Sequence, residues 1–402
     1  MKYLVILGDG MADEPIAALN GLTPLQYAQT PSIDQLARMG RCGMLDTIPE
    51  GFAPGSEIAN LSVLGYNLPE VFEGRGSLEA ASMGIALEPG EMAMRCNLIC
   101  VENGNIKNHS AGHISSEEAE VLMRYLQDEL GNEVVSFYPG VSYRHLLKVK
   151  GGDKRLICTP PHDVPGTPFA EVLVKPADTG ATATAEMLNK LVLRSQELLE
   201  NHPINTERAA RGKDKANSIW PWSPGYRPAM KTMQELFGLK GGAVISAVDL
   251  IRGIGVYAGL QVILVEGATG LYDTNYEGKT QAALEALKEV DFVFLHIEAS
   301  DEAGHEGDVE LKVKTIEYLD RRVVKTVLET IAGWDELVTV ALLPDHPTPC
   351  ALRTHTRDAV PFVIYRPGET PDTVQVYDEK ACHEGFYGML KGEQFMQQLI
   401  RK

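Results

Sequence analysis

The sequence predicts an α/β fold: a mostly parallel sheet between helices, with a smaller α+β domain inserted into it. Three observations carry this. Short apolar runs alternate with helix-like stretches at the start of the chain and again from about Gly242 onward. Most of those runs are apolar on both faces, as strands of a helix-covered parallel sheet are. The stretch between them breaks the rhythm with hairpin-like patterns.

Taken in order, Tyr3–Leu7 (YLVIL) reads as a buried strand. Further strands are expected at Val262–Val265, Val290–Ile297, Leu337–Leu343 and Val360–Tyr365, with helical patterns at Thr280–Lys288 and Val309–Ala332. The middle holds the hairpin-like segments CNLICVENGNIKN and YRHLLKVKGGDKRLIC and one long helix near Ala181–Asn201. Gly/Pro-rich connections are expected at PPHDVPGTP and at Trp220–Pro228. The domain reading is therefore a discontinuous core, 1–88 and 236–402, carrying an inserted domain, 89–235.

Composition narrows the function classes. Of the 402 residues, 44% are hydrophobic and 23% charged, which excludes wholesale disorder. Fifty-five acidic residues against 37 basic ones give a net charge of −18. Such a surface repels phosphate backbones, so nucleic acid and membrane are not expected partners. A local basic pocket for a small anion remains compatible with it. No run approaches the roughly 20 apolar residues of a membrane-spanning helix, and acidic residues follow the first strand too soon for a secretory signal. The six cysteines (Cys42, Cys96, Cys100, Cys158, Cys350, Cys382) are scattered without a CxxC. They read as reduced thiols of a cytoplasmic protein.

Four motifs stand at strand ends or in the adjoining loops, where open α/β sheets bind ligands. Asp9, in LGDGM, either holds a cation or caps the next turn. Asp301 and His305, in DEAGH, are four residues apart and share one face of a helical turn. Oxygen plus imidazole suits a divalent metal, and a solvated turn is the alternative. Asp345 and His346, in PDHP, are either paired ligands or a histidine bonded to its neighbouring carboxylate. His355, in THT, is weak by itself. Together, three carboxylates and three imidazoles make the ligand set of a two-metal phosphoryl-transfer site. Such a site lacks only a nucleophile. Ser56, in PGSEIAN, is the candidate, because a flanking glycine permits close approach to a phosphate and metal coordination can activate a serine. An ordinary helix N-cap is its other reading, and a helix N-terminus also favours phosphate. Ser62 is a rival inside the same helix. For the substrate anion, the basic candidates are His113, Arg144 and His162 in the inserted domain, and Lys240 and Arg252 near the return to the core.

LGDGM, PGSEIANLSVLGYN, GRGSLEAASMGI, ENHPIN, EGATGLYDTN, FLHIEASDEAGHEGD and PDHPTPC run nearly end to end. As a set they resemble the archaeal-type cofactor-independent phosphoglycerate mutases of the alkaline phosphatase superfamily. The resemblance implies an alkaline-phosphatase-like core and a phosphoserine relay with Ser56 as nucleophile. It implies two divalent ions (Mn2+, Mg2+ or Zn2+). Asp9, Ser56, Asp345 and His346 would hold one, and Asp301, His305 and His355 the other. It implies no 2,3-bisphosphoglycerate cofactor, and an inserted domain that closes over the substrate to exclude water.

Two features depart from that pattern. Ala111-Gly112-His113 stands where archaeal members carry A-G-R, and imidazole is a weaker anion partner than guanidinium. YRHLLKVKG, TPPHDVPG and NSIWPWSPG resemble a bacterial branch, some members of which are proposed to be homoserine kinases. The leading expectation is thus interconversion of 2- and 3-phosphoglycerate, in glycolysis and gluconeogenesis. The alternative is a homoserine phosphotransferase of threonine biosynthesis, and a metal-dependent phosphatase stands third. No Walker loop or kinase signature is present, so a nucleotide is expected only on the kinase reading. The expected partner is a small phosphorylated substrate, with a homo-oligomer possible.

Overall fold

The computed structural model describes residues 1–401. The strand Lys2–Gly8 is buried along its whole length. It pairs in parallel with Phe292–Ile297 on one side and Val338–Leu343 on the other. A central strand has no water-facing side, which is why YLVIL is apolar on both faces. The sheet has eight strands, in the order Gln261–Val262, Gly242–Ile245, Phe292–Ile297, Lys2–Gly8, Val338–Leu343, Val360–Tyr365, Arg41–Asp46 and Met389–Lys391. The first five run parallel. Val360–Tyr365 is antiparallel to both its neighbours, and Met389–Lys391 runs parallel to Arg41–Asp46. Leu4, Ile6, Val293, Leu295, Val340 and Leu342 join the helices Pro31–Met39 and Tyr276–Glu289 in one core.

Several expectations shift. Of the VILV run only Val262 lies in a strand, the two-residue edge strand Gln261–Val262. The helical stretch after Val309 is three segments: Val309–Tyr318, a π-helical Leu319–Val324, and Lys325–Ile331. The π segment buries Asp320, whose Oδ1 accepts the backbone N–H groups of Ser32 and Ile33 at 2.8 and 2.7 Å. A carboxylate thereby satisfies the N-terminus of the helix Pro31–Met39.

The chain divides into two units, residues 1–72 with 229–402, and residues 73–228. The boundary therefore falls near 73 and 228, not 89 and 235. The helix Arg75–Ser82 belongs with the inserted unit because it is packed there backbone to backbone. A Cβ on Gly76 would lie 2.4 Å from the Ala93 carbonyl oxygen. Ala80 and Leu87 pack with Ala93 and Leu146, and Glu79 pairs with Arg95 at 3.2 Å.

In the inserted unit the long strand Glu91–Glu102 pairs with Asn105–Asn108, Arg144–Lys150 and Ser218–Tyr226. The first of these is the expected CNLICVENGNIKN hairpin. It turns through Asn103 and Gly104, both with positive φ. YRHLLKVKGGDKRLIC is not a hairpin: Arg144–Lys150 pairs instead with Glu91–Glu102 and Val135–Tyr138, and Leu156–Ile157 pairs with Lys175–Pro176. Nor is the Trp220–Pro228 stretch a mere connection. Most of it lies in the strand Ser218–Tyr226, whose prolines are tolerated because that strand pairs on one side only. Among the described residues no helix is long and apolar enough to cross a membrane.

Candidate active site

The parallel strands end in register, and the chemistry begins at the next residues. Asp9 follows Gly8, Ser246 follows Ile245, Glu298 follows Ile297, and Asp345 lies two residues past Leu343. The Asp9 turn is pressed against its neighbours by Gly10, which has φ +62°. A Cβ there would lie 2.6 Å from both Asp301 Oδ1 and Thr348 Oγ1, so glycine is required for this approach. The Gly10 and His346 N–H groups both donate to Asp345 Oδ1, at 3.2 and 2.9 Å.

Ser56 opens the helix Ser56–Val63, and the N-cap is Gly55. The capping reading of Ser56 is therefore wrong. Gly55 takes the cap position, and the serine hydroxyl sits 3.1 Å from His346 Nε2. Ser62 is buried against Gly392 of the helix Gly392–Leu399, which removes it as a rival.

His346 Nε2 lies 3.7 Å from Asp9 Oδ1 and 3.5 Å from Asp345 Oδ2. Its ring stacks on His355 at 3.9 Å between centroids. On the helix Ala299–Glu306, Asp301 and His305 share a face, as their spacing requires. His305 Nε2 is 3.3 Å from Asp301 Oδ2, and His355 Nε2 is 3.4 Å from Asp301 Oδ1. The structure thus brings Asp9, Ser56, Asp301, His305, Asp345, His346 and His355 together.

The electrostatics show what this cluster lacks. Burial, then the neighbouring Asp345 and Asp301 carboxylates, push Asp9 well above the ordinary carboxylate range. Burial also works to raise Asp301. Hydrogen bonds from His305 and His355 and the nearby imidazoles outweigh it and leave Asp301 well below that range. The bond to Asp301 lifts His305 to about 9 against its desolvation. Burial lowers His346, so its imidazole is neutral at ordinary pH.

Two groups, Asp9–Asp345–His346 and Asp301–His346–His355, each hold their ligand atoms within 4.8 Å of one another. Asp9 Oδ1 is buried with no hydrogen-bond partner. Crowded buried carboxylates, a free carboxylate oxygen and neutral imidazole together fit divalent cations.

The substrate candidates divide. Arg252 is half-buried at the same sheet edge, its Nε donating to Ser246 O at 2.8 Å. Lys240 is misplaced as a site residue: it precedes the strand Gly242–Ile245, and its N–H bonds Asp291, which precedes Phe292–Ile297. It is therefore exposed at the opposite end of the sheet. In the inserted unit, His162 contacts His109 and Trp222, and His109 and His113 contact Tyr143. Arg95 lies over the Trp222 ring at 4.6 Å, and exposed Arg144 over Tyr143 at 5.5 Å.

Sequence reasoning missed several residues. Asn60 lies one turn beyond Ser56, a spacing that puts both on one face. Thr348 donates to Asp301 Oδ1 and stood unremarked in PDHPTPC. His296, Glu298, Ser246 and Lys279 form a buried array behind Asp9.

Fold and site define an α/β protein with a serine beside two candidate metal-binding groups at the carboxyl edge of its sheet. The profile of the 2,3-bisphosphoglycerate-independent phosphoglycerate mutase family matches residues 37–205. A 2,3-bisphosphoglycerate-independent phosphoglycerate mutase of Methanosarcina acetivorans is 52% identical over 404 residues, covering 100% of both chains. A solved structure of a protein from Pyrococcus horikoshii has a TM-score of 0.84 at 32% identity, covering 99% of this chain and 97% of that one. A cofactor-independent phosphoglycerate mutase from Thermoplasma acidophilum has a TM-score of 0.69 at 27% identity, covering 100% and 99%. The chain belongs to the 2,3-bisphosphoglycerate-independent phosphoglycerate mutase family.

Proposed function

We propose that this chain interconverts 2- and 3-phosphoglycerate through a phosphoserine on Ser56. The carrying observation is the 3.1 Å contact between Ser56 Oγ and His346 Nε2, at the junction of both ligand groups. Asp9, Ser56, Asp345 and His346 would hold one divalent ion, and Asp301, His305 and His355 the other. Mn2+, Mg2+ and Zn2+ all suit this donor set. When bound, such ions supply charge neutralisation for the transferring phosphoryl group and favour the alkoxide of the nucleophile.

The protein's own groups do the rest. Ser56 Oγ forms the new P–O bond as the bond from phosphorus to the substrate oxygen breaks. That oxygen takes up the proton that the serine gives up. The other hydroxyl of the same glycerate then takes the phosphoryl group back, and the serine regains a proton. Ser56 stands at the N-terminus of the helix Ser56–Val63, where the helix dipole would favour a phosphoryl group. Asn60 holds the serine's main chain to Asp345. Arg252 is the candidate for the substrate carboxylate on this unit, and His113, Arg144 and His162 on the inserted one. Six free cysteines, five of them buried, support a cytoplasmic setting.

The homoserine phosphotransferase reading finds no support: the full-length relatives at about 50% identity carry the mutase name. The deciding experiment incubates metal-loaded protein with 3-phosphoglycerate and follows 2-phosphoglycerate, alongside homoserine with ATP. Isomerisation in the first, no phosphohomoserine in the second, and loss of turnover in Ser56→Ala are expected. Full turnover by Ser56→Ala, or homoserine phosphorylation without isomerisation, would overturn the reading.

A further inference from the structure

Behind Asp9 lies an array of polar groups buried almost completely. His296 Nε2 is 3.0 Å from Asp9 Oδ2. On the far side of the ring, His296 Nδ1 is 3.0 Å from Glu298 Oε1. That same oxygen accepts from Ser246 Oγ at 2.9 Å and from the Ala247 N–H at 2.8 Å. The second Glu298 oxygen meets Lys279 Nζ at 2.5 Å, and Lys279 also donates to the His296 carbonyl at 3.1 Å. His296 and Lys279 are 0% exposed and Glu298 3%.

Burying a lysine, a glutamate and a histidine in one place is expensive, and burial of this kind is seldom a net source of stability. The array therefore calls for another reason. Its geometry supplies one. The ring is held at Nδ1 by Glu298 Oε1 and by Ser246 Oγ, the latter at 3.2 Å, and its buried Nε2, which makes no hydrogen bond, rests 3.0 Å from Oδ2 of Asp9. That close contact limits the room in which the carboxylate can turn, and Oδ1, which like His296 Nε2 has no hydrogen-bond partner, lies on the His346 side at 3.7 Å. The residues come from the ends of Gly242–Ile245 and Phe292–Ile297 and from the helix Tyr276–Glu289, so the carboxylate is referenced to rigid elements.

We infer that His296, held by Glu298, Ser246 and Lys279, is a positioning residue that fixes the Asp9 carboxylate as a ligand of the Asp9–Asp345–His346 metal group. It touches neither substrate nor reacting atoms. This rests on the metal reading above and not on the identity of the substrate.

The test is calorimetric titration of Mn2+ into chelator-stripped full-length protein, comparing wild type, His296→Asn and Ser246→Ala. The shorter asparagine removes the ring that rests against Oδ2 of Asp9. His296→Asn is expected to weaken one of two ions about 10- to 100-fold, the range for losing a group that orients a ligand, with the other ion within about threefold. At saturating Mn2+ its kcat should recover, while KM for phosphoglycerate stays unchanged. Should His296→Asn fail to fold, Ser246→Ala decides, since it keeps the ring and loosens Glu298. A selective loss of about threefold or more at one ion supports the assignment. Unchanged affinities, or equal losses at both ions, would overturn it. If wild type binds no Mn2+, the metal reading itself fails and takes this inference with it. Wild-type binding with unaffected variants defeats this inference alone.

Discussion

Asn60 Nδ2 donates to Asp345 Oδ2 at 2.8 Å, and the same nitrogen reaches the Ser56 carbonyl at 2.9 Å. One fully buried amide thus ties the main chain of the proposed nucleophile to a carboxylate of the candidate metal group from the other half of the sequence. Removing it in Asn60→Ala should lower kcat about 10- to 100-fold by releasing both partners. Stability should fall by about 1–3 kcal/mol, the cost of leaving a buried acceptor unpaired. Steady-state kinetics and denaturant unfolding of the same preparation check the two effects. Undiminished kcat would show that the serine is held by other means.

The Asp9 region sets a second expectation. Without cations, burial and the charges of Asp345 and Asp301 oppose ionisation of Asp9. Asp9→Asn removes the charge and should raise the melting temperature of chelator-treated protein, as relief of a buried like-charge cluster does. In wild type, metal at a hundredfold excess over Kd should add about 2.7 kcal/mol, and the variant should lose most of that gain. Thermal melts with EDTA and with Mn2+ form the test. An Asp9→Asn protein less stable than wild type in EDTA contradicts the account.

Why these residues were legible, and others not, follows from physical chemistry. Asp9 and Asp345 follow the largely apolar runs YLVIL and LVTVALL, so strand ends and candidate ligands could be read off together. Val360–Tyr365 is a strand over the residues that its apolar pattern marks. Lys279 and Lys312 look like surface residues of amphipathic helices, yet both are 0% exposed. Their buried partners, Glu298 and Asp13, come from distant segments, and no local pattern announces such a pairing. Gly242–Ile245 is too short to show a period. Without it, nothing told which end of a strand Lys240 occupies. The domain boundary slipped because Arg75–Ser82 reads as a helix whichever unit it joins.

Glu379 gives a pH dependence away from the metal groups. Burial raises it from its ordinary 4.5 to about 7, although Thr23 Oγ1 and the Asp13 N–H both donate to it. The folded protein therefore keeps this proton over a range where the unfolded chain has lost it. Its stabilising contribution is full below about 4.5 and fades as pH rises to about 7, beyond which it is gone. Glu379→Gln should flatten the fall in stability between pH 5 and 8 seen in chelator-treated wild type. Parallel stability–pH curves for the two proteins would show that Glu379 does not carry the slope.

Arg252 and Lys240 are both cations near the return to the core unit, and the sheet separates them. Arg252 reaches Ser246 O, past the carboxyl end of Gly242–Ile245, whereas Lys240 precedes that strand. A four-residue strand spans about 13 Å, more than a Debye length at physiological salt. An exposed lysine at that distance is screened from a substrate at the carboxyl edge. Lys240→Ala should therefore leave kcat and KM for phosphoglycerate within about twofold of wild type, as surface changes away from a site do. Arg252 is the opposite case. Its Nε is engaged by Ser246 O and one Nη by Asp249 at 3.1 Å. The other Nη is then the donor left for an anion. Arg252→Gln should raise KM about tenfold or more, the loss expected for one charge-assisted hydrogen bond. Its effect on kcat should be smaller, because a carboxylate remote from phosphorus is bound alike in the ground and transition states. Steady-state kinetics on the two variants, with metal saturating, separate the cases. A raised KM in Lys240→Ala with an unaltered Arg252→Gln would place the substrate anion at the wrong end of the sheet for this site.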